Sequence, residues 1–238
     1  MRASLIRPTL AAAAVLALLL LLISWAQRST ATQIQTAQSA PDLSGVWMQR
    51  DLGDSFSKEG PSLQPWAAER ARANAAAGEA GDPEEKCFPP GIPRIYLHRY
   101  PVEMLQLPGR VVQFFEYDHF VRQIWIDGRK HPNRDDLDDT WLGHSIGSWD
   151  GDTFVVDTIG FNEKTWMDNT GRPHSNALHM VERMRRVDHD TLQIDFTFDD
   201  PKAYTGPWTA QKVFRLRPGW EISEQICADN FLWKEPGT

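Results

Sequence analysis

An all-β fold, either an antiparallel barrel or a strongly curled sheet, is what this 238-residue sequence predicts. Three observations carry that expectation. Nine or ten short runs rich in β-branched and aromatic residues recur from Leu43 onward, bounded by Gly, Pro, Asp and Asn. A single run, Pro65–Ala77, has helix start and stop signals, with proline at its first turn and Gly78 just past its end. Neither βαβ alternation nor a GxGxxG sequence occurs, which excludes dinucleotide-binding and P-loop folds.

The chain divides into three parts. Residues 1–26 read as a signal peptide or an N-terminal membrane anchor. Arg2 and Arg7 make a positive start, Thr9–Ala26 is apolar, and Ser24 and Ala26 suit signal peptidase. An apolar run of about 18 residues is long for a signal and short for a spanning helix, so cleavage and retention both stay open. The folded part is expected in the periplasm or outside the cell, touching the inner membrane only through this segment if it is retained. Residues 27–41 are a small, polar linker, and 42–238 form one β-rich domain. Its first strand is Leu43–Trp47, and Gly45-Val46-Trp47 is similar to the opening of lipocalin-like barrels. The Ala-rich helix follows, then a loop to Pro93. Val102–Leu107, Val111–Tyr117 and Val121–Asp127 are the next strands. Residues 129–140 are a polar loop whose four aspartates miss calcium-loop spacing. Ser145–Trp149 with Asp152–Thr158 reads as a hairpin turning at Asp150-Gly151. Met180–Val187 with Thr191–Phe198 makes a longer one, and Thr209–Leu216 and Trp220–Cys227 close the series.

Composition narrows the function. The chain carries a net charge of −7, which becomes −9 without Arg2 and Arg7. That acidity argues against nucleic acid and against a basic lipid-binding patch. Ten tryptophans supply flat stacking surfaces or close barrel ends. Cys87 and Cys227, a widely separated pair in an exported chain, read as a disulfide, with two buried thiols as the other possibility. They lack the CxxC-type neighbours of a zinc site, and neither an organic cofactor nor a metal is expected.

Alternation selects the interior. Leu192, Ile194, Phe196 and Phe198 share one face, and Met180, Glu182 and Met184 share another, leaving His179 and Arg183 on the solvent side. Glu182 is therefore an interior carboxylate, either an acid–base group or one half of an ion pair with Arg94 or Arg122. Asp157 ends an apolar run, as a turn-former or a group at a barrel mouth. Asp168 and His174 lie in the long loop 160–176, and His144 opens the first hairpin beside Trp141. His98, His119, His131 and His189 fall in turns, where a solvated imidazole is the default. HExxH and GxSxG are absent.

Several stretches resemble a known group. CFPPGIPR (Cys87–Arg94), IDGRKHP (Ile126–Pro132), TWLGHSIGSWDGDTFVVDTIGFNEKTWMD (Thr140–Asp168), GRPHSNALHMVERMRR, DDPKAYTGPWT and EQICADN are similar to a large family of exported bacterial proteins of unassigned function. The likeness runs from Leu43 to Asn230. It implies that the two cysteines and the set His144, Asp157, His174 and Glu182 belong to a shared pattern. This chain departs from the family in having a shorter segment after its last cysteine.

The leading expectation is a barrel that binds a small hydrophobic or aromatic molecule, with Trp141, Trp149, Trp166 and Trp208 lining or capping its mouth. The alternative is a cofactor-independent lyase, isomerase or hydrolase on the same scaffold. Glu182 or Asp157 would then be the base, and His174 or His144 its acid partner. A third reading is a structural envelope protein without a pocket.

Overall fold

A computed structural model describes residues 40–229. The proposed leader, most of the linker and the C-terminal tail lie outside them. Nine strands close into a barrel in sequence order. They are β1 (Gly45–Gln49), β2 (Val102–Leu107), β3 (Arg110–Phe115), β4 (Val121–Trp125), β5 (His144–Asp150), β6 (Thr153–Ile159), β7 (His179–Asp188), β8 (Thr191–Asp199) and β9 (Trp208–Leu216). Closure comes from β1 pairing with β9 through Trp47–Gln49 and Phe214–Leu216. The one α-helix among the described residues, α1 (Pro65–Ala77), matches the run marked by its proline and glycine. It buries only Ala67, so it lies on the barrel as a strap. No helix among the described residues is long and apolar enough to cross a membrane.

Two sequence expectations need correction. The barrel is mixed, because β4 and β5 run parallel and meet only at Ile124–Ser145 and Trp125–Ile146. Hairpin-connected neighbours are antiparallel by construction, but the polar stretch between Trp125 and His144 carries the chain back to start β5 in the same direction as β4. Trp220–Cys227 is not a strand. It contributes one isolated bridge, Tyr117 to Gln225, and Trp220 is exposed. With β1 already hydrogen-bonded to β9, the barrel offers that segment no edge.

The interior is filled rather than hollow. Met180, Met184, Leu192, Ile194, Phe196 and Phe198 face inward as the alternation of β7 and β8 requires. One end is plugged by the turn Arg94–Leu97, all four residues of which are buried. Tyr96 of this plug meets Phe115 of β3, Phe196 of β8 and Phe214 of β9, so its ring packs across the barrel. Just upstream, Cys87 is bonded to Cys227, with a Cα–Cα distance of 5.6 Å. The disulfide suits an oxidising compartment and ties the approach to the plug to the segment that follows β9.

Candidate functional site

The residues singled out by sequence fall in separate places, except for one pair. Glu182 is fully buried inside the barrel. Arg122 of β4 reaches across to it with two bonds, of 2.5 and 3.0 Å, and the Tyr96 hydroxyl donates to it at 2.7 Å. The same guanidinium bonds Gln113, Ser145 and Thr158. All the residues of this network are buried, so Arg122 is the core partner of Glu182 and no histidine bonds it. Burial, then the Glu182 charge, push the Tyr96 phenol well above its usual range.

His174 is buried in the loop before β7. Its Nδ1 faces the Ser175 carbonyl and its Nε2 has no partner among the described residues. Burial lowers its pKa and favours the neutral ring. It borders a recess of about 350 Å³ under α1, with Trp66, Arg70, Glu163 and Lys202. Asp168 is structural. It is buried, pairs with Arg172 at 2.7 Å and caps its own loop through Thr170.

His144 and Asp157 do come together, on the outer wall of the barrel. β5 and β6 are antiparallel with Ile146 opposite Asp157 and His144 opposite Ile159, so the two side chains are diagonal neighbours on one face. Asp157 is not a turn-former, since β6 continues to Ile159. His179, at the start of β7, is diagonal to Asp157 from the other side, because Val181 is opposite Asp157. Its Nε2 lies 3.0 Å from Asp157 Oδ1. The fourth member is His131. Its Nε2 lies 3.1 Å from the same oxygen, and its Nδ1 lies 2.7 Å from Nδ1 of His144. The order is thus His144, His131, Asp157, His179.

Reading every loop histidine as solvated misses His131, whose two ring nitrogens are both engaged. Pro132, which fixes the backbone beside it, is the one local signal that sets His131 apart. His179 does face solvent, but it belongs to the cluster. Gly143 sets the start of β5. Its φ is +68°, and a Cβ there would lie 2.8 Å from the Ile159 carbonyl, so only glycine fits immediately before His144.

The charges in the chain are asymmetric. The hydrogen bond to His179 lowers the Asp157 pKa, and the same bond raises that of His179. Desolvation, then His131 and Arg129, lower that of His144. His179 therefore contributes stability that is full below the ordinary imidazole value of 6.5 and fades as pH rises through its raised folded value. Asp157 contributes above 3.8 and loses that contribution as pH falls through its depressed folded value. The pair is at its strongest between those two values. Asp157→Asn is expected to return the His179 titration midpoint, followed by imidazole proton NMR, toward 6.5. A midpoint that does not move would show that the carboxylate is not what holds His179 charged.

Beside His144 the short β4–β5 pairing leaves a groove of about 370 Å³, near the lower end of ligand-pocket sizes. Phe120, Trp125, Trp141 and Leu142 wall it, with Arg122, Ser145 and His144 also lining it. Both indoles are held. Arg129 lies 3.8 Å from the Trp125 ring centroid, while Phe88 stacks on Trp141 and Lys164 stands 5.9 Å from its centroid. The other candidate tryptophans lie elsewhere. Trp149 packs on Phe154, Trp166 packs under Arg94, and Trp208 packs on Phe198. On the far side of His179 is a polar recess bordered by Arg134, Asp139, Asn176 and Lys202. Those groups bond one another, Arg134 to Asp139 and Lys202 to Asn176.

Among the described residues no group of three or more His, Cys, Asp or Glu is arranged to hold a metal ion. In the outer-wall cluster the two ring nitrogens of His131 face different partners, so the donors form a line rather than converge. No family model matches the chain, and no curated protein matches it. The described residues form a closed, side-chain-filled β-barrel with a disulfide, an aromatic groove on its wall, and an imidazole–carboxylate chain at the groove's edge.

Proposed function

We propose that this is an exported protein, of the bacterial family its motifs resemble, that binds a small aromatic molecule in the groove between β4 and β5. The observation that supports it most is the pair of indoles, Trp125 and Trp141, on a groove floored by polar groups. Apolar walls with a few placed polar groups are the usual make-up of a small-molecule site. The filled interior argues against ligand uptake within the barrel, as lipocalins do it. The disulfide supports export, since such bonds persist in oxidising compartments. A second reading, acid–base catalysis in the same groove, is favoured by one observation. His144 both lines the groove and ends a hydrogen-bonded chain to a carboxylate.

Titration with nitrobenzene, an aromatic quencher of indole fluorescence, tests the groove. Saturable quenching is expected. In Trp141→Ala the affinity should fall on the order of tenfold, because the apolar wall that the indole gives the groove is lost. Quenching that stays linear with nitrobenzene, or saturation unchanged by the substitution, would overturn the assignment.

A further inference from the structure

The hydrogen bonds of the outer-wall chain determine which atom His144 offers to the groove. An ionised carboxylate only accepts, so the His131 Nε2 that faces Asp157 at 3.1 Å carries a hydrogen. When the His131 ring carries that one hydrogen alone, its Nδ1 is a lone pair, and the hydrogen in the 2.7 Å contact comes from Nδ1 of His144. Nε2 of His144 is left as a lone pair. It has no hydrogen-bond partner among the described residues and is not among the buried polar atoms lacking one. His144 itself borders the groove. His179, on the same Asp157 oxygen, holds the carboxylate in place from the opposite side.

A lone-pair acceptor selects a ligand that brings a hydrogen. Phe120, Trp125, Trp141 and Leu142 line the groove with apolar surface, which suits an aromatic ring. The groove's rim also disfavours a cation, because the faces of Trp125 and Trp141 already have Arg129 and Lys164 over them. Arg129 is paired with Asp127, and Lys164 makes no ion pair among the described residues, so the rim keeps positive charge. A group that becomes partly negative on giving up a proton fits that surface.

We propose that the ligand is a small phenol whose hydroxyl donates to Nε2 of His144, with Asp157 and His131 fixing that nitrogen as the acceptor. The proposal rests on the groove reading above and specifies its substrate class. Where the proton is transferred, the phenol O–H bond breaks and an N–H bond forms at His144 Nε2. The resulting imidazolium keeps its Nδ1 hydrogen on His131, whose Nε2 hydrogen stays on Asp157. Phenolate and imidazolium are left side by side, and no other reactant is needed. In this arrangement His144 is the catalytic residue, while His131, Asp157 and His179 are positioning residues. Desolvation, the largest cause of the lowered His144 pKa, favours the neutral ring beside the groove.

The test compares 4-nitrophenol with 4-nitroanisole, its methyl ether, on the purified full chain by equilibrium dialysis. The phenolate absorbance band is read in parallel. Wild type is expected to bind the phenol about tenfold more tightly than the ether, as a single net hydrogen bond allows, and to strengthen the phenolate band. His144→Phe is expected to keep ether binding and lose the preference. His144→Leu, which also has no acceptor, serves as a second variant in case the larger ring disturbs β5. Asp157→Asn leaves His144 in place but frees its tautomer, and should reduce the preference and the band together. Equal binding of both probes to wild type, or a preference that survives loss of His144, overturns the phenol assignment and leaves the aromatic groove standing. Binding of neither probe overturns both readings.

Discussion

Arg122→Met is expected to destabilise the barrel by about 3–5 kcal/mol, the usual result of removing one partner from a buried ion pair. Arg122 and Glu182 are 1% and 0% exposed in their side chains, so water cannot replace the lost guanidinium. The carboxylate would keep only the Tyr96 hydroxyl. Gln113, Ser145 and Thr158 would lose a donor in the same step. For a domain of this size the midpoint of thermal unfolding should fall by roughly 6–20 °C, read by circular dichroism. The double variant Arg122→Met, Glu182→Met discriminates between roles. Removing both charges also removes the unpaired one, so most of the lost stability is expected to return. An Arg122→Met protein as stable as wild type would refute the network as a structural element. Glu182→Gln, which leaves the groove-lining Arg122 in place, is expected to keep 4-nitrophenol binding and so to place Glu182 outside the site.

The same network shows what was legible in the sequence. The alternation in β7 and β8 is unbroken, so Glu182 between Met180 and Met184 reads as interior without any structure. The helix Pro65–Ala77 is marked at both ends by its proline and by Gly78. The parallel joint between β4 and β5 leaves no local trace. It follows from how the stretch between Trp125 and His144 crosses the barrel, and that is a matter of closure rather than of propensity. Trp220–Cys227 fails for the same reason, because a strand-like run needs a free edge and the ring already has none.

The site was half legible. His144 and Asp157 can be named from sequence, and so can their being close, since they flank one hairpin. Which side of the barrel they face is settled by Ser145 and Thr158, the neighbours that turn inward to Arg122. With those two inside, His144 and Asp157 must be outside, so the carboxylate that works with a histidine is Asp157 and not Glu182. His131 arrives from a loop whose path no periodicity reports. The interior polar network and the outer-wall chain are thus two faces of the same strands, β5 and β6. A substitution that shifts their register moves both.

Loss of the disulfide is expected to be the other large effect. Cys87 and Cys227 are 140 residues apart in sequence, and closing a loop of that size is worth about 4–5 kcal/mol in the chain-entropy model. Removal of native disulfides typically costs about 2–5 kcal/mol, so Cys87→Ser with Cys227→Ser should lower stability within that range. Urea unfolding of wild type, reduced wild type and the double-serine variant measures it. Equal stability of oxidised and double-serine forms would show that the cross-link constrains nothing in the unfolded chain. The location of the bond adds a second, local expectation. One residue beyond Cys87 is Phe88, stacked on Trp141 of the groove, and a short way further is the Arg94–Leu97 plug. The plug is held independently, by the buried Tyr96 and by the Ile92 amide bonded to the Trp141 carbonyl. Phe88 is half exposed and has fewer ties of its own. Freed from Cys227, the segment at Phe88 should therefore loosen before the plug does. Amide exchange should rise first at Cys87 and Phe88 and only later at Ile95 and Tyr96. Aromatic binding should weaken in the folded double-serine protein, because the ring stacked on Trp141 is held less firmly.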